Sequence, residues 1–149
     1  MESSGLLTKK RALSIVLLAA ALFILLIGLR WAGQIRSNSV KTTQGREKFL
    51  LELGWEIDPA SEECRDVVIP DELEGLMEEY NRMQRAQGYD LSAYCGKTCR
   101  QYSYAVTNYH GYDKPVTATI YVYGSKVIAG DIHTAAVDGF MHSIKRSGE

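Results

Sequence analysis

Four side chains near the C-terminus have the types needed for a metal or hydrolytic centre: Asp131, His133, Asp138 and His142. Carboxylate oxygens and imidazole nitrogens together suit zinc-like ions. Asp131 and His133, two apart, share a face if they lie on a strand. The competing reading is structural: Asp131 satisfies backbone groups of the terminal segment, while His133 and His142 are surface or singly hydrogen-bonded groups. A helical pair of histidines with an intervening Glu, a nucleophile elbow and a phosphate-cradling glycine loop are all missing from the sequence. The reading is therefore no catalytic residue and no cofactor. A small metal-dependent hydrolase using Asp131, His133 and His142 is the alternative.

Cys95 and Cys99 are the closest pair of the three cysteines, Cys64 being remote in sequence. An extended backbone would hold their Cα atoms about 13 Å apart, beyond the roughly 7 Å that a disulfide tolerates, so a bridge needs a turn, which Gly96 allows. Thioredoxin-like redox pairs have two intervening residues at a helix start, whereas here three lie ahead of a strand pattern. All nine tyrosines, from Tyr80 to Tyr123, fall after the N-terminal third of the chain. Tyr109 and Tyr112 flank His110-Gly111 in a loop pattern, and exposed tyrosines there could stack on sugars or dock peptides. Equally, tyrosine fills half-buried sheet faces. The ligand-binding candidates are Tyr109, Tyr112 and Asp131.

Positioning these side chains falls to a small set of elements. Thr43 opens a short helix as N-cap, with Phe49, Leu50 and Leu53 on one face and Gly54 as its stop. Trp55 to Ile57 and Asp66 to Ile69 read as two strands around an Asp58-Pro59 turn, able to form a hairpin. Asp71 with Glu74 resembles a capping box opening a long helix, whose packed face carries Leu73, Leu76, Met77, Tyr80, Met83 and Gln87, and which Gly88 ends. After Lys97 the period becomes two, with Tyr102, Tyr104 and Val106 on one side and Gln101, Ser103 and Thr107 on the other. Val116 to Tyr123 and Lys126 to His133 flank Gly124-Ser125, a two-residue hairpin connection that sets Tyr123 opposite Lys126. An unbroken register then puts Val116, Ala118, Ile120, Val122, Val127 and Ala129 on the core face, with Asp131 beside Ala118 and His133 beside Val116. The fold class is α+β: a helix, a strand pair, a helix and a three-stranded antiparallel meander.

Ahead of this domain, Ala12 to Leu29 carry no charge and directly follow Lys9-Lys10-Arg11. As a helix this stretch rises about 27 Å, close to the roughly 30 Å of a bilayer core. Trp31 falls at the level of an aromatic belt, and small residues for signal cleavage are lacking. The chain divides into a cytoplasmic tail (1–11), a transmembrane anchor (12–31) that partners the lipid bilayer, a connector (32–42) and one domain (43–149). Basic residues after the anchor outnumber those before it, but long domains translocate largely regardless of charge. A cell-membrane, single-pass topology with the C-terminal domain outside follows. Residues 43–149 contain 11 of the 17 basic and 17 of the 18 acidic residues. An acidic module repels phosphate backbones, which excludes a nucleic-acid partner.

The segments Gly54-Trp55-Glu56, Ile69-Pro70, Tyr80-Asn81, Gly88-Tyr89-Asp90-Leu91-Ser92, Asn108-Tyr109, Gly130-Asp131 and Asp138-Gly139-Phe140-Met141-His142 together resemble an uncharacterised family of Gram-positive, clostridia-type bacteria, domain of unknown function 4830. Its members are carried behind a single N-terminal anchor. The resemblance runs from about Arg46 to Ile144 and implies an extracytoplasmic location, but no catalytic residue. Cys95 and Cys99 depart from the family pattern, which counts against a shared cysteine chemistry. The functional expectation is a non-catalytic binding or interaction domain whose partner is a cell-wall component, a peptide or a neighbouring membrane protein.

Overall fold

The structure, a computed structural model, describes residues 20–25 and 40–146. The tail, most of the predicted anchor and most of the connector lie outside these residues; within the anchor, residues 20–25 are helical. Among the described residues no helix is long and apolar enough to cross a membrane.

Helix α1 (Thr43–Glu52) starts one residue later than its cap: the hydroxyl of Thr42, not Thr43, accepts from the Gly45 N–H at 3.1 Å. Such a cap contributes about 1 kcal/mol. The helix closes as expected at Gly54, whose φ of +86° is the left-handed residue of a Schellman motif, with Gly54 N–H bonded to Leu51 O and Trp55 N–H to Leu50 O. The strand expected at Trp55–Ile57 shrinks to a single bridge, Ile57 to Val106. Asp58 instead caps a 3-10 turn, Pro59–Ser61, and Ser61 Oγ accepts from Ala105 N–H. That turn carries the chain past the bridge and delivers strand β1 (Glu63–Val68) to a different partner, strand β2 (Thr98–Ala105), with Cys64 opposite Tyr102. The expected hairpin between the first two strands therefore does not form.

Helix α2 (Leu76–Ala86) is shorter than its periodicity suggests. Asp71 does not cap it, because residues 69–71 are held elsewhere: Ile69 exchanges backbone hydrogen bonds with Gly96 and Lys97, and Gly96, at φ +71°, sits against the Asp71 carboxylate. The helix starts instead after Gly75, without a side-chain cap. It ends as α1 does, with Gly88 N–H on Arg85 O and Tyr89 N–H on Gln84 O.

Strands β3 (Thr117–Tyr123), β4 (Lys126–His133) and β5 (Met141–Ser143) complete an antiparallel sheet of order β1-β2-β3-β4-β5. The domain is thus α+β as expected, but its five strands form one sheet with α2 inserted between the first two, the expected strand at Trp55–Ile57 is lost, and a strand, β5, stands where only a terminal segment was foreseen. One sheet face carries Tyr102, Tyr104, Ala118, Ile120, Val122 and Ile132 in a core shared with Leu50 and Trp55. The opposite face carries Cys99, Ile128 and Ala129 in a core shared with Ile69 and Leu91, against which Met77 and Tyr80 of α2 pack.

Candidate functional site

Tyr123 faces Lys126 as the turn dictates, but the register slips one residue further on: Val122 pairs with Val127, then Tyr121 with Ala129. Ile128 is the extra residue of a β-bulge, so it and Ala129 both serve the α2 side. Beyond it every β4 side chain changes face relative to an unbroken ladder. Asp131 lies opposite Thr119 and His133 opposite Thr117, not beside Ala118 and Val116, while Ile132 takes the place beside Ala118 in the apolar core. The polar pair therefore does not interrupt the α1-side core. It forms the floor of a cleft beneath α2.

This cleft has a volume of about 720 Å³, within the range of small-molecule sites. All five strands contribute to its floor and walls, through Val67, Gln101, Tyr121, Asp131 and Met141 among others, and α2 roofs it with Leu76, Met77, Tyr80 and Met83. Three large apolar residues on its rim stay exposed to water: Val68 by 63%, Leu76 by 83% and Met141 by 54%. Of the four methionines in the chain, three line the cleft. Methionine's unbranched, polarizable side chain adapts to irregular partners, which is why it recurs at binding surfaces.

The floor is a chain of polar groups. Asp131, 2% exposed, accepts from the Tyr80 hydroxyl at 2.7 Å through Oδ2 and meets His133 Nδ1 at 2.8 Å through Oδ1. The hydrogen bond to Asp131 raises the His133 pKa above the ordinary imidazole value, against the opposing effect of burial. Burial, with the Asp131 charge next, pushes the Tyr80 phenol well above its usual range, so it acts as a donor. Tyr121, also raised by burial, accepts from Gln101 Nε2 at 3.0 Å, and Gln101 Oε1 accepts from Arg65 Nε. Ser103 and Thr119 hydroxyls pair at 3.0 Å.

The cleft exists because α2 is attached at one end. Gln84 and Asn81 are fully buried and Gln87 is 7% exposed. The Gln84 amide donates to Gly130 O at 3.1 Å and accepts from Gly130 N–H at 2.9 Å, occupying both backbone groups of a strand residue just beyond the end of β5 pairing. Gln87 adds a second donor to the same carbonyl at 2.9 Å. Gly130 leaves little room for a side chain: a Cβ would lie 3.0 Å from Ile144 and 3.1 Å from the Thr119 carbonyl, so these neighbours would have to shift. Asn81 in turn spans Asp90 Oδ1 and Leu91 N–H. These amides lie on the same stripe as Met77 and Tyr80, at three- and four-residue spacing. That spacing is the signal by which Asn81 and Gln84 could have been recognised as buried.

The remaining expected site residues lie elsewhere. His142 pairs with Ile132 across β5 and so projects on the α1 side, away from Asp131 and His133. There it stacks on Phe140, with ring centroids 5.4 Å apart, and reaches the Tyr109 hydroxyl at 3.1 Å. Asp138 is exposed and pairs with Lys114 at 2.5 Å. The metal set Asp131, His133 and His142 is thus divided between the two sheet faces, and among the described residues no group of three metal-ligating side chains assembles. Tyr109, half-buried, stacks with Trp55 (5.9 Å) and Phe140 (5.2 Å), so its ring is part of an aromatic cluster. Tyr112 packs edge-on against Phe140, with its hydroxyl buried and unpartnered among the described residues. Of the three ligand-binding candidates, Asp131 lines the cleft and Tyr109 and Tyr112 do not. Cys64, Cys95 and Cys99 are free thiols, so the expected Cys95–Cys99 pair is unbridged; burial raises the Cys99 thiol pKa.

Residues 49–132 match the family model described as Domain of unknown function (DUF4830). That span is more than half of the chain. The protein belongs to this family. The DUF4830 match takes in α2, the amide clamp on Gly130 and Asp131, and stops one residue short of His133. No curated protein and no solved structure matches the chain.

Proposed function

We propose that this DUF4830 protein is a single-pass, membrane-anchored binding domain, facing outward, whose ligand seats in the cleft between α2 and the sheet. The observation that carries the binding half is the cleft's exposed apolar rim. Val68, Leu76 and Met141 stand in water around a cavity of about 720 Å³. Large apolar patches rimmed by polar groups mark ligand sites on soluble domains. The uncharged run Ala12–Leu29 behind Lys9-Lys10-Arg11 supports the anchor and its orientation.

Each half has its own test. Cys64 is exposed in the domain, so a membrane-impermeant maleimide added to intact cells is expected to label it; labelling only after lysis overturns the outward topology. For the cleft, the full chain is purified and its organic extract analysed by mass spectrometry. A small molecule recovered with the natural chain and lost from Leu76→Glu supports the site, and equal recovery from both removes it.

A further inference from the structure

Beside the cleft lies a second, smaller recess of about 310 Å³ that shares Arg65, Gln101, Thr119 and His133 with it and adds Glu63, Cys64, Ser103 and Thr117. The two spaces differ in chemistry. The cleft is walled by methionine and leucine, the recess by hydroxyls, an amide and two basic side chains. In the recess the inward-facing polar atoms are already engaged: His133 Nδ1 by Asp131, Arg65 Nε by Gln101, and the Ser103 and Thr119 hydroxyls by each other. Besides the Thr117 hydroxyl and the Cys64 thiol, what is left for a ligand, among the described residues, is the terminal nitrogens of Arg65 and the outer Nε2 of His133. These are donors on cations when His133 is protonated, and its contact with Asp131 favours that form. Glu63 is the recess's one carboxylate; in the cleft, Asp131 is engaged by Tyr80 and His133 and offsets the imidazolium charge, and Glu79 borders it from α2, exposed as Glu63 is.

Building on the binding role proposed above, we infer that cleft and recess together hold a single-chain amphiphilic carboxylate, its apolar chain beneath α2 among Leu76, Met77 and Met83, its head between Arg65 and His133. Guanidinium and carboxylate match in planar geometry. Glu63, next but one to Arg65 on β1, opposes a doubly charged head, which selects a carboxylate over a phosphate monoester. The methionines supply an adaptable wall for a flexible chain.

The methionines also supply the test. In the full chain, held in phosphatidylcholine nanodiscs and labelled at methionine methyls, Met77, Met83 and Met141 report on the cleft and Met1 is an internal control. Decanoate is expected to shift the three cleft methyls and leave Met1 unmoved, with decyltrimethylammonium at least tenfold weaker. Arg65→Gln and His133→Gln should each weaken decanoate by about tenfold, the loss of one charge-assisted hydrogen bond, while leaving the ammonium unchanged. Equal shifts from both head groups overturn the carboxylate assignment and leave the binding cleft standing. Absence of any shift from either probe overturns the cleft as a binding site together with the inference. Leu76→Glu, at an exposed position, abolishes the shifts without unfolding the domain if the chain sits as inferred.

Discussion

The two faces of one sheet are closed in different ways. On the α1 face, apolar packing is continuous from Leu50 and Trp55 to Ile132 and Ile144, and the one charge buried within it is fully partnered. Arg46, 3% exposed, donates to Tyr104 Oη at 2.6 Å, Val40 O at 3.0 Å and both Glu62 oxygens at 2.8 and 2.7 Å, with its guanidinium 3.8 Å above the Tyr102 ring. Burial opposes this charge, but the hydrogen bonds to Glu62 and Tyr104 outweigh it and keep the Arg46 pKa above its ordinary value. The α2 face also buries a charge, Asp131, held by Tyr80 and His133, while the amides that fix the helix, Asn81, Gln84 and Gln87, gather at its C-terminal half. The opposite half, Leu76 to Met83, stands over a cavity. Polarity alone does not open an interface: the α1 face buries a full charge and stays closed. What distinguishes the α2 face is that the Gln84 and Gln87 amides converge on Gly130 at the end of the helix, while Leu76 at its start stays exposed over the cavity.

Breaking the α1 face should cost most. Arg46→Met leaves Glu62 and the Tyr104 hydroxyl without their cationic partner and is expected to lower stability by about 3 kcal/mol, read from thermal unfolding of the full chain. The Glu62 pKa is lowered, its hydrogen bonds to Tyr104 and Arg46 outweighing burial. A lowered folded-state pKa stabilises above the unfolded value of about 4.5 and is lost as pH falls through the folded one. The deficit of Arg46→Met should therefore shrink in acid. A deficit that is already absent at neutral pH would show that the aromatic and aliphatic packing alone holds this face.

The α2 face should break more gently. Gln84→Ala strips both backbone groups of Gly130 of a partner, a loss of about 2 kcal/mol, and should speed hydrogen exchange at the Gly130 amide specifically. Tyr80→Phe removes one donor from Asp131 and should cost about 1 kcal/mol. The His133 contribution has the opposite pH sign to that of Glu62. Its folded pKa is raised, so the stability it adds is fully present below the unfolded value of about 6.5 and is lost as pH rises through the raised one. The difference between the natural chain and His133→Gln should accordingly be largest in mild acid and vanish in alkali.

The contrast between faces also marks where the sequence could be read. Gly54 and Gly88 were legible as helix stops because a left-handed residue after a helix has few alternatives to glycine, and Gly124-Ser125 set Tyr123 against Lys126. The α1 face, built on alternation of Tyr102, Tyr104, Ala118 and Ile120, followed from period two. The α2 face did not, for three physical reasons. A bulge at Ile128 carries no compositional mark, yet it moves Asp131 and His133 across the sheet. Asn81 and Gln84 bury amides on a stripe where, Tyr80 and Gln87 apart, apolar side chains were sought. The capping box at Asp71 lost to tertiary contacts with Gly96 and Lys97. Nothing local marks Arg46 as buried, since its partners Glu62 and Tyr104 are distant in sequence.

The smallest expected effect on stability is the most discriminating for function. Leu76 opens α2 at 83% exposure, so Leu76→Glu buries nothing new and removes little packing. Its unfolding free energy should stay within about 0.5 kcal/mol of the natural chain, as surface substitutions do, and an acid in the first turn of a helix is favoured by the helix dipole. An apolar residue that contributes nothing to folding has no structural reason to be there. If Leu76→Glu leaves stability intact while removing ligand from the cleft, the open half of the α2 face is a binding surface. A loss of several kcal/mol would mean that Leu76 is packed in solution, and that the α2 face closes as the α1 face does.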